Sequence, residues 1–173
     1  MIWVYGIREP AEVEPPLESL TAGGLMAVFG RREHERTRDG LWEHERVVET
    51  LMPVLPMRFA SMVAGEDALR RLISERHDSL AAALANVSGR VEVGVRAVGR
   101  RETSGREHLL RKLALHEPLA ALAVDTRLRP QGGAYLVERE AVPGFTAAVE
   151  RLQEAHPDVA ILCTGPWPPY SFV

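Results

Sequence analysis

A single cysteine, Cys163, and a single lysine, Lys112, occur in this chain of 173 residues. One thiol cannot close an internal disulfide, and secreted domains more often carry an even set, so the cytosol is the expected compartment. No run reaches the roughly 18 uninterrupted apolar residues that a membrane span needs, so a soluble protein with no membrane partner is expected. The start, Met1-Ile2-Trp3-Val4-Tyr5-Gly6, lacks the basic region, long apolar stretch and small-residue site of a signal peptide. Excess charge of one sign is missing too: 24 acidic against 21 basic residues give −3. No overall field draws such a chain onto nucleic acid or an anionic membrane. Gly/Ser linkers, internal repeats and low-complexity segments are absent.

Catalytic signatures are equally scarce. Neither GxSxG, GxxxxGK[ST] nor GxGxxG occurs, so the usual nucleophile elbow and the phosphate and dinucleotide loops are excluded. Glu33-His34, Glu43-His44 and Glu107-His108 combine ligand types that suit zinc or iron. None has the HExxH spacing that sets two ligands on one helical face, so no metal or other cofactor is assigned. Cys163 ends an apolar run, where a cysteine reads as a small core residue. Arg96, Arg100, Arg101, Arg106, Arg111 and Lys112 form one basic stretch, but it lacks aromatic side chains on which bases could stack.

What is present is ordinary globular material, 46% hydrophobic and 26% charged. Ile2–Ile7 and Leu25–Phe29 read as strands, separated by the acidic, proline-rich loop Glu9–Glu18. Asp39 is placed to cap a helix through Trp42, Val48, Leu51 and Met52, with Trp42 inward, which Pro53 stops. Pro56–Ala60 reads as extended. Gly65-Glu66-Asp67 opens a long helix with Leu69, Leu72, Ile73, Leu80 and Leu84 on one face. Val91, Val93, Val95 and Ala97 alternate with polar residues or glycine, the period of a strand buried on one side. Ser104 and Glu107 match a capping box, opening a helix through Leu109, Leu110 and Leu113. Pro118 predicts a kink or fresh start near His116, with Leu119 and Leu122 in the second piece. Gln131-Gly132-Gly133 is a turn before the strand Ala134–Val137. Pro143 opens a helix with Phe145, Ala148, Val149 and Leu152 inward, and Val159–Cys163 reads as a buried last strand after which the tail leaves the sheet. The expected class is α+β: two small α/β sandwich domains, 1–88 and 89–173, with antiparallel or mixed sheets packed on helices. The second is ferredoxin-like.

The tail is the most distinctive string. Trp167, Tyr170 and Phe172 are interleaved with Pro166, Pro168 and Pro169, and the prolines hold the backbone on an extended course at small further entropy cost. Physics favours an intramolecular clamp that folds back and seals the sheet. A docking surface for another protein, built from Trp167, Pro168, Pro169, Tyr170 and Phe172, is the alternative.

Cys163-Thr164-Gly165-Pro166-Trp167-Pro168-Pro169-Tyr170-Ser171-Phe172 resembles the ending of the GvpL/GvpF gas vesicle proteins. So, in order, do Trp3-Val4-Tyr5-Gly6-Ile7, Glu45-Arg46-Val47-Val48 through Val54-Leu55-Pro56-Met57-Arg58-Phe59, and Ala134-Tyr135-Leu136-Val137. The resemblance covers essentially the whole chain. It implies a non-enzymatic accessory protein of a gas-filled compartment, located in the cytoplasm and at the gas vesicle. It also implies an assembly or minor structural role and binding of the hydrophobic shell protein GvpA and other gas vesicle proteins. Two departures stand out: Ala60 occupies a position where the family usually has glycine, and the chain is short around residues 98–105. A ferredoxin-like small-molecule-binding regulator or enzyme, with a pocket lined by Trp3, Tyr5 or His44, is the competing expectation.

Overall fold

The computed structural model describes residues 1–31, 37–99, 115–130 and 132–173. Glu33-His34, the capping box at Ser104, Leu109, Leu110, Leu113, Glu107-His108, Gln131 and most of the basic stretch lie outside those residues. The chain divides into two compact units, Met1–Ser88 and Gly89–Phe172, with Val173 grouped with the first.

The first unit is built on the antiparallel strands β1 (Ile2–Arg8), β2 (Glu18–Ala22), β3 (Leu25–Gly30) and β4 (Leu55–Pro56) in the order β2-β3-β1-β4, and β5 (Met62–Val63) pairs with β1. Strands β1 and β3 are central and buried along nearly their whole length, which is why both read as continuous apolar runs rather than as alternations. β2 was invisible as a strand because it lies at the edge and buries only Leu20.

Helix α1 (Arg38–Thr50) is capped by Thr37, whose hydroxyl accepts the Gly40 amide at 3.2 Å, so Asp39 sits in the first turn rather than at the cap. Its buried stripe is Gly40, His44 and Val48, one residue every fourth position. Trp42 falls off that stripe and is 46% exposed, contrary to the inward packing its size suggested. The long helix expected after Gly65 is two helices, α2 (Glu66–Glu75) and α3 (His77–Val87), broken at Arg76. The break lets His77 reach back to the β2–β3 turn, where its Nε2 lies 2.9 Å from the Gly23 carbonyl oxygen. Leu69 and Ile73 are buried from one helix, Leu80 and Leu84 from the other. Pro56–Ala60 is extended only at its start; Ala60 has φ 68°, the left-handed region that disfavours a Cβ.

The second unit has four antiparallel strands, β6 (Arg90–Gly99), β7 (Asp125–Arg129), β8 (Gly132–Glu138) and β9 (Val159–Trp167), in the order β7-β8-β6-β9. That is the order of a ferredoxin-like sheet. Residues 115–120 are helical, and α4 (Val142–Ala155) follows β8. Both pack on one face, where Val93, Val95, Leu119, Tyr135, Val137, Phe145, Ala148 and Val149 form the core. Leu122 lies beyond the helical residues and is 46% exposed. β7 was not foreseen, because Asp-Thr-Arg-Leu-Arg at a sheet edge buries too little to show apolar alternation.

Two further expectations fail at β9. The strand is buried only at Val159 and partly at Ile161, since it lies at the other sheet edge, and Cys163 is exposed. The chain also stays in the sheet through Trp167, which pairs with Glu92 after a bulge opposite Glu92 and Gly94. Gly165 makes that bulge possible. Its φ is 110°, and a Cβ there would come within 2.7 Å of the Glu92 carbonyl oxygen.

Candidate partner-binding surface

Strand register sorts the side chains of the second sheet. Val91, Val93 and Val95 face the helices, so Glu92, Gly94, Arg96 and Val98 point to the other face, which carries no helix among the described residues. Cross-strand pairing adds Ala134 and Leu136 of β8, Arg127 and Arg129 of β7, and Ala160, Leu162, Thr164 and Trp167 of β9 to that face.

The tail folds back over one half of this face. Glu92 accepts hydrogen bonds from the Ser171 amide at 2.8 Å and from the Ser171 hydroxyl at 2.6 Å. The Arg129 guanidinium donates to the same hydroxyl oxygen at 3.0 Å. Arg127 lies over the Phe172 ring, 5.3 Å from its centroid, a cation–π contact. A short 3-10 turn, Tyr170–Phe172, presents these groups, held by Tyr170 N–H to Pro168 O at 2.8 Å and Phe172 N–H to Pro169 O at 3.1 Å. Pro168, Pro169 and Phe172 are buried and Tyr170 is half-buried. Neither Glu92 nor the two arginines was singled out as a tail partner from sequence. The alternation of β6 places Glu92 on the face away from the helices, but nothing in the string ties it to Ser171.

The other half of the face is open. Leu162 is 52% exposed, Val98 48% and Trp167 38%. Arg96, Ala160 and Thr164 are exposed beside them. β9 carries no charged residue along its length and no proline before Pro166, two of the devices by which edge strands discourage pairing. The five tail residues expected to act together are therefore divided: Trp167 belongs to the open apolar strip, whereas Pro168, Pro169 and Phe172 are folded away.

The three residues named for the alternative pocket are placed differently. Trp3 and His44 are buried in the first unit, with the Trp3 Nε1–H donated to His44 Nδ1 at 3.0 Å and His44 Nε2 2.9 Å from the Met57 carbonyl oxygen. Those two bonds fix the tautomer, with Nδ1 the acceptor and Nε2–H the donor. The His44 ring stacks on Tyr5 at 5.3 Å and meets Phe59 edge-on at 5.7 Å. Tyr5 borders a cleft beside the proline-rich loop. Elsewhere, burial raises the Tyr135 hydroxyl to about 12 while it hydrogen-bonds His116 Nδ1 at 3.1 Å. Among the described residues no group of three or more His, Cys, Asp or Glu side chains is disposed to hold a metal, and no helix is long and apolar enough to cross a membrane.

Comparison with known proteins places the chain in context. A family model described as "Gas vesicle synthesis protein GvpL/GvpF" matches residues 1–113 and 111–173. Gas vesicle protein F of Streptomyces sp. (strain CB03234) is 28% identical over 97% of this chain and 91% of its own length. Gas vesicle protein L of the same strain is 31% identical over 78% of this chain and 68% of its length. Gas vesicle protein F1 of Halobacterium salinarum is 25% identical over 99% and 92%. The crystal structure of GvpF from Microcystis aeruginosa superposes with a TM-score of 0.83 at 20% identity, covering 99% of this chain and 98% of that one. GvpF from Anabaena sp. PCC7120 gives 0.78 at 19% identity. At those identities the superpositions speak to the fold.

Proposed function

This chain belongs to the GvpL/GvpF family of gas vesicle synthesis proteins, and we propose that it acts without catalysis, as an assembly factor or minor component that binds the hydrophobic shell protein GvpA. The open strip of Leu162, Val98 and Trp167 on an uncharged edge strand is the observation that carries this reading. A shell subunit with a large apolar face needs cover before it joins a wall, and an exposed apolar strip on an edge strand offers such a contact. In this reading the buried part of the tail is a clamp. It holds β9 and Trp167 in place rather than meeting the partner itself.

Capture of GvpA by wild type, Leu162→Asp and Trp167→Ala tests the strip. The expected result is folded variants that retain about a tenth or less of the bound shell protein, since interface aromatics and their neighbours carry most of the affinity. Undiminished capture by both would overturn the reading. Shortening the chain after Pro169 tests the clamp separately: loss of stability is expected, and a fully stable protein that no longer binds would make the tail itself the docking element. A cut before Thr164 is less informative, because it removes half of β9. Quantitative detection in purified intact vesicles distinguishes a resident component from a transient assembly factor.

A further inference from the structure

A second feature, confined to the first unit, is unconnected with the apolar strip. A cleft of about 1020 Å³ opens between the proline-rich loop after β1 and helix α1. Three arginines and four glutamates border it: Glu12, Glu14 and Glu43 are exposed, Glu18 is paired with Arg31, and the situations of the arginines differ. Arg31 is committed: its Nε and Nη2 donate to Glu18 at 2.8 and 2.9 Å, and Nη2 also donates to Glu66. Arg46 is exposed at the rim and makes no ion pair among the described residues. Arg8, at the end of β1, is the unusual one. It is only partly exposed, its Nε is buried without a hydrogen-bond partner, and no described carboxylate pairs with its guanidinium.

A guanidinium withdrawn from water without an anion is costly, and a bound carboxylate would relieve that cost by paired N–H···O bonds. Part of the lining is apolar: Val13 and Val47 are half-buried, and Leu51 is buried. Such a surface suits a hydrocarbon stem.

We propose that this cleft binds an aliphatic carboxylate, with Arg8 receiving the anion, Arg46 assisting from the rim, and Val13, Val47 and Leu51 contacting the stem. Two sources share that chemistry, a free organic acid and the terminal carboxylate of an apolar peptide. The inference does not rest on shell-protein binding, and its variants leave the apolar strip of the second unit untouched.

Titration of the full chain by NMR and calorimetry, with octanoate against octanamide and with N-acetyl-Ala-Leu-Ala-Leu against its C-terminal amide, provides the test. At least one acid is expected to bind about tenfold or more tightly than its amide, and the pair that discriminates identifies the source. Arg8→Met keeps the stem and removes the charge. It should abolish the preference for the acid without lowering the melting temperature, because the wild-type guanidinium has no carboxylate partner to lose among the described residues. Arg46→Met should weaken the acid severalfold. Equal binding of acid and amide in both pairs, no binding of either acid, a preference that survives Arg8→Met, or a destabilised Arg8→Met would each overturn the proposal.

Discussion

His44→Leu puts the polar centre of the first unit to a quantitative test. The substitution roughly keeps apolar volume but removes both ring nitrogens, leaving the buried Trp3 N–H without its acceptor at 3.0 Å and the Met57 carbonyl without its donor at 2.9 Å. Each orphaned group costs about 1–3 kcal/mol, and the lost ring contacts with Tyr5 and Phe59 add about 0.5–1.5 kcal/mol. The expected destabilisation is therefore about 3–6 kcal/mol, a large share of the roughly 5–15 kcal/mol that holds a domain together. Trp3→Phe removes the other end of the same bond and should cost about 1–3 kcal/mol. In the double variant neither partner is left unmatched across that bond, so the two costs should fail to add by about 1–2 kcal/mol. Urea unfolding of the four proteins, followed by near-ultraviolet circular dichroism, measures the cycle. Additivity within about 0.5 kcal/mol, or a His44→Leu cost below about 1 kcal/mol, would show that the bond is not a determinant of this core.

Ala60→Gly should stabilise the protein by up to about 1.6 kcal/mol: relief of the left-handed conformation at φ 68° is worth about 1–2 kcal/mol, and the freer unfolded glycine returns about 0.4–1. A lower melting temperature would refute it. Glu92→Ala should cost the second unit about 2 kcal/mol and free the tail, seen as faster amide exchange at Ser171; unchanged exchange would mean the tail is held elsewhere. The side-chain hydrogen bond to Asp78, then the Gly23 carbonyl, raises the folded His77 pKa above that of an ordinary histidine. That contribution is complete below the unfolded pKa and disappears as pH rises through the raised folded one. Wild type should therefore lose a small increment of urea resistance across that window and His77→Gln should not; parallel pH profiles would remove the assignment.

What could be read from sequence followed burial. Ile2–Ile7, Leu25–Phe29, Val91–Ala97 and Phe145–Leu152 sit where apolar side chains meet a core, so their periodicities were legible and the ferredoxin-like class with them. β2 and β7 are edge strands that bury little, and nothing in their pattern separates them from loop. Trp42 and Cys163 misled for a related reason: residue type suggested burial, but position on the helix and at the sheet edge decided otherwise. The family ending was plain as a string, yet its division into a buried part and an exposed Trp167 depended on a long-range partner, Glu92, 79 residues from Ser171. Ala60 is the converse case. A departure from the family's usual glycine coincides with the one non-glycine φ found in the left-handed region among the described residues.

The pairing of β6 with β9 also governs how the second unit comes to fold. Val159 meets Gly99 and Trp167 meets Glu92, partners 60 and 75 positions apart in sequence, so the central strand lacks one neighbour until most of the unit has been made. Such non-local closure slows folding relative to helical or hairpin structure. While it is pending, Val-Ala-Ile-Leu-Cys-Thr carries no charge to deter pairing with another chain. Yield should therefore depend on how long that strand waits. Slower synthesis at reduced temperature, or an early supply of whatever covers Leu162 and Trp167, should raise recovery of folded protein more than any gain in final stability would.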